Sequence, residues 1–195
     1  MYKKTPLDYQ ITEYDCGTTT LLNALRFLFE RKEISPFVIK HIMKETLDLT
    51  DDNGEECKGG TSVEAIEKIA EWIYKNGKKY GMNIKYKKYR KEKAIIDNKE
   101  IIETIKHGGI AIVRVYQDVD HYCLLTRINK NYAYLFDPYY LNIKKYDNDP
   151  EAEIIKDEPF RFNRKVSLRR LRDENKKDFS LVRGSNALIM TIERV

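Results

Sequence analysis

The spacing of the apolar residues changes near residue 109, and this change limits the folds that are open to the chain. Before it, apolar residues recur at helical intervals, which predicts helices at residues 16–31, from Pro36 onward, from about residue 63 to Asn76, and at residues 98–106. After it, β-branched and aromatic runs predict strands at residues 110–116, 121–128, 132–136, 160–162 and 187–192, with a short helix at residues 167–171. Helices followed by strands indicate an α+β fold, with the helical layer packed on one side of an antiparallel sheet.

Length and composition predict a single domain over residues 1–195 with a hydrophobic core of its own. The N-terminus lacks the apolar stretch of a secretory signal, and no apolar run approaches the roughly 20 residues of a membrane helix. The three cysteines form no framework spacing and no Cys-x-x-Cys pair, which is typical of free thiols in a reducing compartment. We therefore expect a cytoplasmic protein without a membrane, a metal or a cofactor.

Basic residues are concentrated in residues 75–93, a segment that begins at Lys75 and ends at Lys93. The formal net charge of the chain is +5. Such a segment can form a solvated surface, or it can attract an acidic partner. Tyrosines are interleaved with the lysines, as in some nucleic-acid-binding surfaces. Because Ile84 and Tyr86 fit the inward face of a strand, however, we expect no nucleic-acid binding.

Cys16 stands at the predicted start of the first helix, after Asp15 and before Gly17. Asp15 is a suitable N-cap because its carboxylate can accept the free amides of the first turn. The positive end of a helix favours a thiolate, which is the nucleophilic form of cysteine. A small buried cysteine would give the same local pattern, so a catalytic role for Cys16 needs a base elsewhere. Of the other cysteines, we expect Cys123 in the core and Cys57 exposed in a charged loop.

His121 is the histidine best placed to be that base. It begins a predicted strand directly after an acidic turn, whereas His41 lies within a helix and His107 at a helix end. Asp137 comes at the end of the next strand, before Pro138, and a hairpin between the two strands brings it beside His121. A carboxylate in that position fixes the tautomer of the imidazole and orients the ring. An Asp-Pro pair is also common in turns.

Gln10 precedes Cys16 by six residues and is a candidate donor for an oxyanion hole. Attack of a cysteine on a carbonyl creates an oxyanion that needs two or more fixed hydrogen-bond donors. The backbone amide of Cys16 can supply one donor, and the Gln10 side chain can supply a second.

The combination of Gln10, Cys16-Gly17, His121 and Asp137-Pro138 resembles the papain-like cysteine peptidase domain of bacteriocin-processing transporters. The resemblance extends from Gln10 to roughly residue 182 and includes the turn at Gly59-Gly60. It implies a papain-like fold with Cys16 as nucleophile, His121 as general base and acid, Asp137 as its orienting group and Gln10 in the oxyanion hole. Thr18, Thr19 and Thr20 depart from the proline or small residues that usually follow the Cys-Gly pair.

The resemblance leaves the acyl acceptor open. Members of that family cut leader peptides after a double glycine, while transglutaminase-like members of the fold pass acyl groups to amines. Our first expectation is amide-bond formation in natural-product biosynthesis, with an acyl or peptidyl group taken from a carrier-protein thioester. An acidic carrier protein would then dock on residues 75–93. Cleavage of a peptide is the alternative, and an inactive peptide-binding module is the third possibility.

Overall fold

Seven strands form one antiparallel sheet in the part of the chain that the structure, a computed structural model, describes: residues 3–141 and 143–195. The strands are β1 (Ile84–Arg90), β2 (Ile110–Gln117), β3 (Val119–Ile128), β4 (Tyr132–Phe136), β5 (Ala152–Ile154), β6 (Arg164–Ser167) and β7 (Leu188–Arg194). Their order in the sheet is β1-β7-β2-β3-β4-β6-β5. The mixture of helices with an antiparallel sheet confirms the predicted α+β class at this level.

Five α-helices accompany the sheet within the same residues: α1 (Cys16–Leu28), α2 (Pro36–Glu45), α3 (Val63–Asn76), α4 (Lys99–Lys106) and α5 (Leu168–Arg172). The predicted extension of the first helix to residue 31 is wrong. Phe29 is already extended, and a separate 3-10 turn follows at Arg31–Glu33. None of the helices described has both the length and the apolar character needed to cross a bilayer.

Both faces of the sheet are buried, which corrects the predicted one-sided arrangement. Ile110 and Ile112 of β2 pack into a core shared with α1, α2 and α3. The alternate residues Ala111, Val113 and Val115 point to a second core, which α4 and α5 help to form. In a strand that is buried on both faces, side chains on either face favour apolar residues. This explains the nearly continuous apolar run of β2.

The strands at the far edge of the sheet differ from the prediction. Phe160 and Phe162 were expected in a strand, but they lie in a turn in which the Phe162 amide donates to Glu158 O at 3.1 Å. The edge is built instead by β6, which pairs with β4, and by β5, which pairs with β6. Phe162 still contributes to packing, because its ring contacts that of Tyr134 at a centroid distance of 4.9 Å.

The basic segment 75–93 forms the end of α3, a connecting turn and the edge strand β1. Several of its charges are neutralised within the chain, by the ion pairs Lys75–Glu71, Lys87–Glu100, Lys88–Glu67 and Arg90–Glu67. Glu64 adds a further contact to Arg90 at 3.3 Å. Less positive charge is therefore available to a partner than the sequence suggests.

Candidate active site

Cys16 is the first residue of α1 and lies against β3. The Thr20 hydroxyl, one turn further along α1, donates to Tyr122 O of β3 at 3.1 Å. The thiol is buried at 9% exposure. The start of the helix is thus fixed to the strand that carries His121, and Cys16 and His121 line the same cavity.

Asp15 occupies the N-cap position of α1, but its side chain does not cap the helix. The carboxylate turns back and accepts from the amides of Ile11 and Thr12 at 3.0 and 2.6 Å. It also accepts from the hydroxyls of Thr12 and Thr19. The predicted capping role is therefore wrong. Asp15 instead fixes the loop that precedes Cys16.

His121 and Asp137 are in direct contact, with 2.8 Å between His121 Nε2 and Asp137 Oδ1. The register of the β3–β4 hairpin produces this contact, because Leu124 lies opposite Phe136 and so places residue 137 beside the start of β3. The Asp137 carboxylate is ionised and accepts, so Nε2 carries a proton and Nδ1 is the ring nitrogen left to face Cys16. A single hairpin thus brings together two residues that are sixteen positions apart in the sequence.

Asp137 is fully buried and held by several donors. Besides His121, it accepts from the Tyr139 amide at 2.8 Å and from Gln117 Nε2 at 3.3 Å. Arg164, itself 2% exposed, lies 3.1 Å from the second carboxylate oxygen. Asn163 bonds both the amide and the carbonyl of Asp137, at 2.8 and 2.7 Å. Burial raises the pKa of Asp137, but His121, Arg164 and the Tyr139 amide together hold it below its ordinary value.

The environment of Cys16 favours the thiolate. Burial by itself raises the pKa of the thiol, but the hydrogen bond and charge of His121, with backbone hydrogen bonds from Tyr122 and Gly17, bring the pKa below its ordinary value. Burial also lowers the pKa of His121, yet the contacts with Cys123, Asp137 and Cys16 raise it well above the usual range. These shifts favour a thiolate–imidazolium pair near neutral pH.

Cys123 is a second thiol beside His121, and it is fully buried. Burial and the charge of Asp137 raise the pKa of Cys123 to about 11, so this thiol stays protonated at neutral pH. The negative charges that stabilise the His121 cation there are therefore those of Asp137 and the Cys16 thiolate. The position of Cys123 agrees with the core placement predicted from its apolar neighbours, and Cys57 is exposed, as predicted.

The side chains of His121, Cys123 and Asp137 could also be considered as metal ligands. They place one ligand atom each within 4.8 Å of one another, and all three are buried. However, Asp137 is already paired with the guanidinium of Arg164, whose positive charge opposes a cation at the same carboxylate. The arrangement fits the orientation of an imidazole better than the binding of a metal ion.

A cavity of about 430 Å³ opens at Cys16 and His121. One wall is formed by the loop before α1 and the turn before α3, and the other by β2 and β3. The residues that line it are Glu13, Tyr14, Cys16, Lys58, Gly59, Gly60, Thr61, Arg114, Val119, Asp120, His121 and Tyr122. Gly17 allows the two segments of the first wall to approach, since a Cβ there would lie 2.7 Å from Thr61 Cβ.

The structure does not bring Gln10 into this cavity. Its side-chain Nε2 donates to Thr12 O at 2.7 Å, while its buried Oε1 has no partner among the described residues. The Gln10 amide donates to Pro138 O at 2.9 Å, which places the residue close to Asp137. A role in the oxyanion hole therefore requires that the side chain leave Thr12.

Among the residues of the site that were not found from the sequence are Arg114, Gln117 and Arg164. Arg114 and Gln117 carried a signal, because they are polar side chains in or directly after an otherwise apolar predicted strand. Arg164 carried none. It lies in the segment Arg161 to Arg172, where basic residues are frequent, and its burial depends on Asp137, which is distant in sequence.

Comparisons with known proteins find similarity among solved structures. No protein-family model matches the chain, and no curated protein matches its sequence. Among solved structures, the chain is similar to a double glycine motif protease from an AMS/PCAT transporter, determined in complex with the leader peptide. The similarity has a TM-score of 0.48 at 15% identity and covers 99% of this chain and 94% of that one.

Proposed function

We propose that this chain is a cysteine-dependent acyl-transfer enzyme with Cys16 as its nucleophile. The observation that supports this best is the continuous contact from Asp137 through His121 to a thiol whose pKa is lowered at the start of a helix. The proposal does not depend on the similarity to a solved structure. It rests on the geometry and charges of the described residues.

In the proposed reaction, the Cys16 thiolate adds to the carbonyl carbon of a peptide or thioester substrate. The negative charge passes to the carbonyl oxygen, which the backbone amide of Cys16 and, after it leaves Thr12, the Gln10 side chain would stabilise. The His121 imidazolium gives its Nδ1 proton to the departing amine or thiol, leaving a thioester on Cys16. Neutral His121 then takes a proton from water or an amine as it attacks, and the thiolate is regenerated.

A thioester on Cys16 can react with water or with an amine. Reaction with water, which hydrolyses a peptide, is the one to test first, and reaction with an amine to form an amide is the alternative. The first expectation from the sequence, transfer from an acidic carrier protein, relied on residues 75–93. Glu67, Glu71 and Glu100 form ion pairs with four of the nine basic residues in that segment, which weakens the case for this docking site.

The first test is selective alkylation with iodoacetamide at pH 6, with the modified cysteine located by peptide mass spectrometry. We expect Cys16 to react before Cys57, although Cys57 is the exposed thiol. His121→Ala should abolish this preference. Faster labelling of Cys57 in the unmodified protein would contradict the proposal.

A second test identifies the acceptor. The protein is incubated with an acyl thioester of N-acetylcysteamine, with and without glycinamide, and in parallel with double-glycine peptides. Amide product indicates transfer, free acid or cleaved peptide indicates hydrolysis, and Cys16→Ala is the control for each. Intact-protein mass spectrometry that detects no acyl group on Cys16 with either substrate class would argue for a binding module.

A further inference from the structure

The wall of the cavity opposite Cys16 contains two buried donor groups without hydrogen-bond partners. These are Arg114 Nε and the Tyr122 hydroxyl, and neither has a partner among the described residues. Buried polar atoms in folded proteins are almost always paired, so two unpaired donors in one cavity need an explanation. Both side chains line the cavity that holds Cys16 and His121.

Arg114 and Tyr122 lie side by side because of the sheet register. They are directly opposite each other in the β2–β3 pair, so their side chains emerge on the same face. The Arg114 guanidinium lies over the Tyr122 ring at 5.2 Å from its centroid, which fixes its position. The Tyr122 side chain belongs to the core that contains Cys16, so both donors lie on the face of the sheet that packs against α1.

The ionic partner of Arg114 is loosely held. Asp120 Oδ2 lies 3.4 Å from an Arg114 nitrogen, longer than the 2.7–2.9 Å usual for a charged hydrogen bond. Arg114 is nevertheless only 11% exposed in its side chain. The Arg114 guanidinium is mostly buried, its carboxylate partner is distant, and its Nε–H is unpaired among the described residues. It can therefore bind another carboxylate at shorter range.

The other charged groups of the cavity have partners of their own. Lys58 pairs with Glu55, and Glu13 is hydrogen-bonded to the Tyr139 hydroxyl. Asp120 is also contacted by Asn186 Nδ2 at 3.4 Å, outside the cavity. Arg114 is therefore the cationic side chain of this wall that retains free donor capacity, and the planar fork of an arginine matches the two oxygens of a carboxylate.

We propose that Arg114, with the Tyr122 hydroxyl, binds a carboxylate on the acyl substrate close to the carbonyl that Cys16 attacks. The acyl donor would thus be an acidic one, and the carboxylate would displace Asp120 from Arg114. This inference rests on the proposed role of Cys16 and adds the class of substrate. It makes Arg114 a residue that determines specificity.

The test compares two alkylating reagents that differ by one charge, iodoacetate and iodoacetamide, on the full chain. The measured quantity is the ratio of their rates at Cys16, followed by mass spectrometry of the Cys16 peptide. His121 also attracts the anionic reagent, so the ratio is compared between variants at one pH. Arg114→Gln should lower the ratio roughly tenfold. Arg114→Lys, which keeps the charge but loses the fork, should lower it less.

Two further variants keep the outcome unambiguous. Asp120→Asn frees Arg114 and should raise the ratio roughly threefold, and it decides the question if Arg114→Gln does not fold. Arg127→Gln removes a cation of β3 that stacks on Tyr134 outside the cavity, and it should leave the ratio unchanged. An unchanged ratio in both Arg114→Gln and Asp120→Asn overturns the inference. Failure of both reagents to label Cys16 overturns the proposed function instead.

Discussion

Two buried charges border His121 and Cys16, and their surroundings differ sharply. The Asp137 carboxylate receives hydrogen bonds or ion pairs from His121, Tyr139, Gln117 and Arg164. The Arg114 guanidinium has a single carboxylate at 3.4 Å and an unpaired Nε. The Asp137 charge has its partners within the fold, whereas the Arg114 charge keeps donor capacity for a further partner. In the proposed function, Asp137 orients the base and Arg114 selects the substrate.

The largest expected effect comes from the fixed side. Asp137→Asn removes the charge that stabilises the His121 cation and disturbs the tautomer that leaves Nδ1 for Cys16. We expect turnover of whichever thioester or peptide substrate is active to fall by roughly 100- to 10,000-fold. Steady-state rates at pH 7 measure this, with circular dichroism to confirm folding. A loss of less than tenfold would contradict the assignment of Asp137.

A matched pair of arginine substitutions tests the comparison through stability. Arg164→Met leaves the buried Asp137 carboxylate with His121 as its remaining cation and should lower the free energy of unfolding by about 3 kcal/mol. Arg114→Met loses a loose ion pair and the stacking on Tyr122, about 1 kcal/mol. Urea unfolding of both variants gives the two values. Equal losses would show that the two arginines are held alike.

Gln10 tests whether the loop before α1 takes part in the reaction. If the side-chain amide of Gln10 leaves Thr12 to bind the oxyanion, Gln10→Ala should slow turnover by roughly 100- to 1,000-fold. Alkylation of Cys16 by iodoacetamide forms no oxyanion and should change much less. Turnover within twofold of the unmodified protein would leave the backbone amide of Cys16 as the donor.

The smallest expected effect is on the pH dependence of stability. The pKa of His121 is higher in the folded state than in the unfolded state. Its contribution to the free energy of unfolding is therefore complete below the unfolded pKa of about 6.5 and is lost as the pH rises through the folded pKa. The pKa of Asp137 is lowered, so its contribution is present above about 3.9 and is lost as the pH falls through the folded value. Stability from this pair is greatest between those two values.

The measurement uses a Cys16→Ala background, which removes the titration of the thiol. Urea unfolding at pH 5 and pH 9 should show a loss of about 1 kcal/mol on going to the higher pH. Adding His121→Ala should remove most of that loss. A pH dependence that persists in the double variant would place the titrating group elsewhere.

The sequence predicted the parts of the fold that have a strong local signal. The β3–β4 hairpin and its outcome, the contact of His121 with Asp137, followed from two strands with a short connection. The start of α2 at Pro36 and the start of α3 at about residue 63 also followed from local rules. These features depend on neighbours in the sequence, so one sequence was enough.

Features that depend on distant partners were missed or misplaced. Strands β5 and β6 are short, and β6 begins with Arg164 and Lys165, which give no apolar alternation. Their pairing is determined by β4, which carries the edge of the sheet. Asp15 was expected to cap α1 because it stands before the helix, but the amides of Ile11 and Thr12 compete successfully for its carboxylate. Local propensity could not rank these two sets of donors.

The separation of Arg164 from Cys16 along the chain has a consequence during biosynthesis. The Asp137 carboxylate, which stabilises the His121 cation, has all its partners only after β6 has paired with β4 and Arg164 has reached it. At ordinary elongation rates this is roughly 10–30 s after Cys16 has been synthesised. Through that interval Cys16 is a plain thiol on a nascent helix. Any activation of Cys16 by the His121–Asp137 pair therefore has to wait until most of the chain has been made.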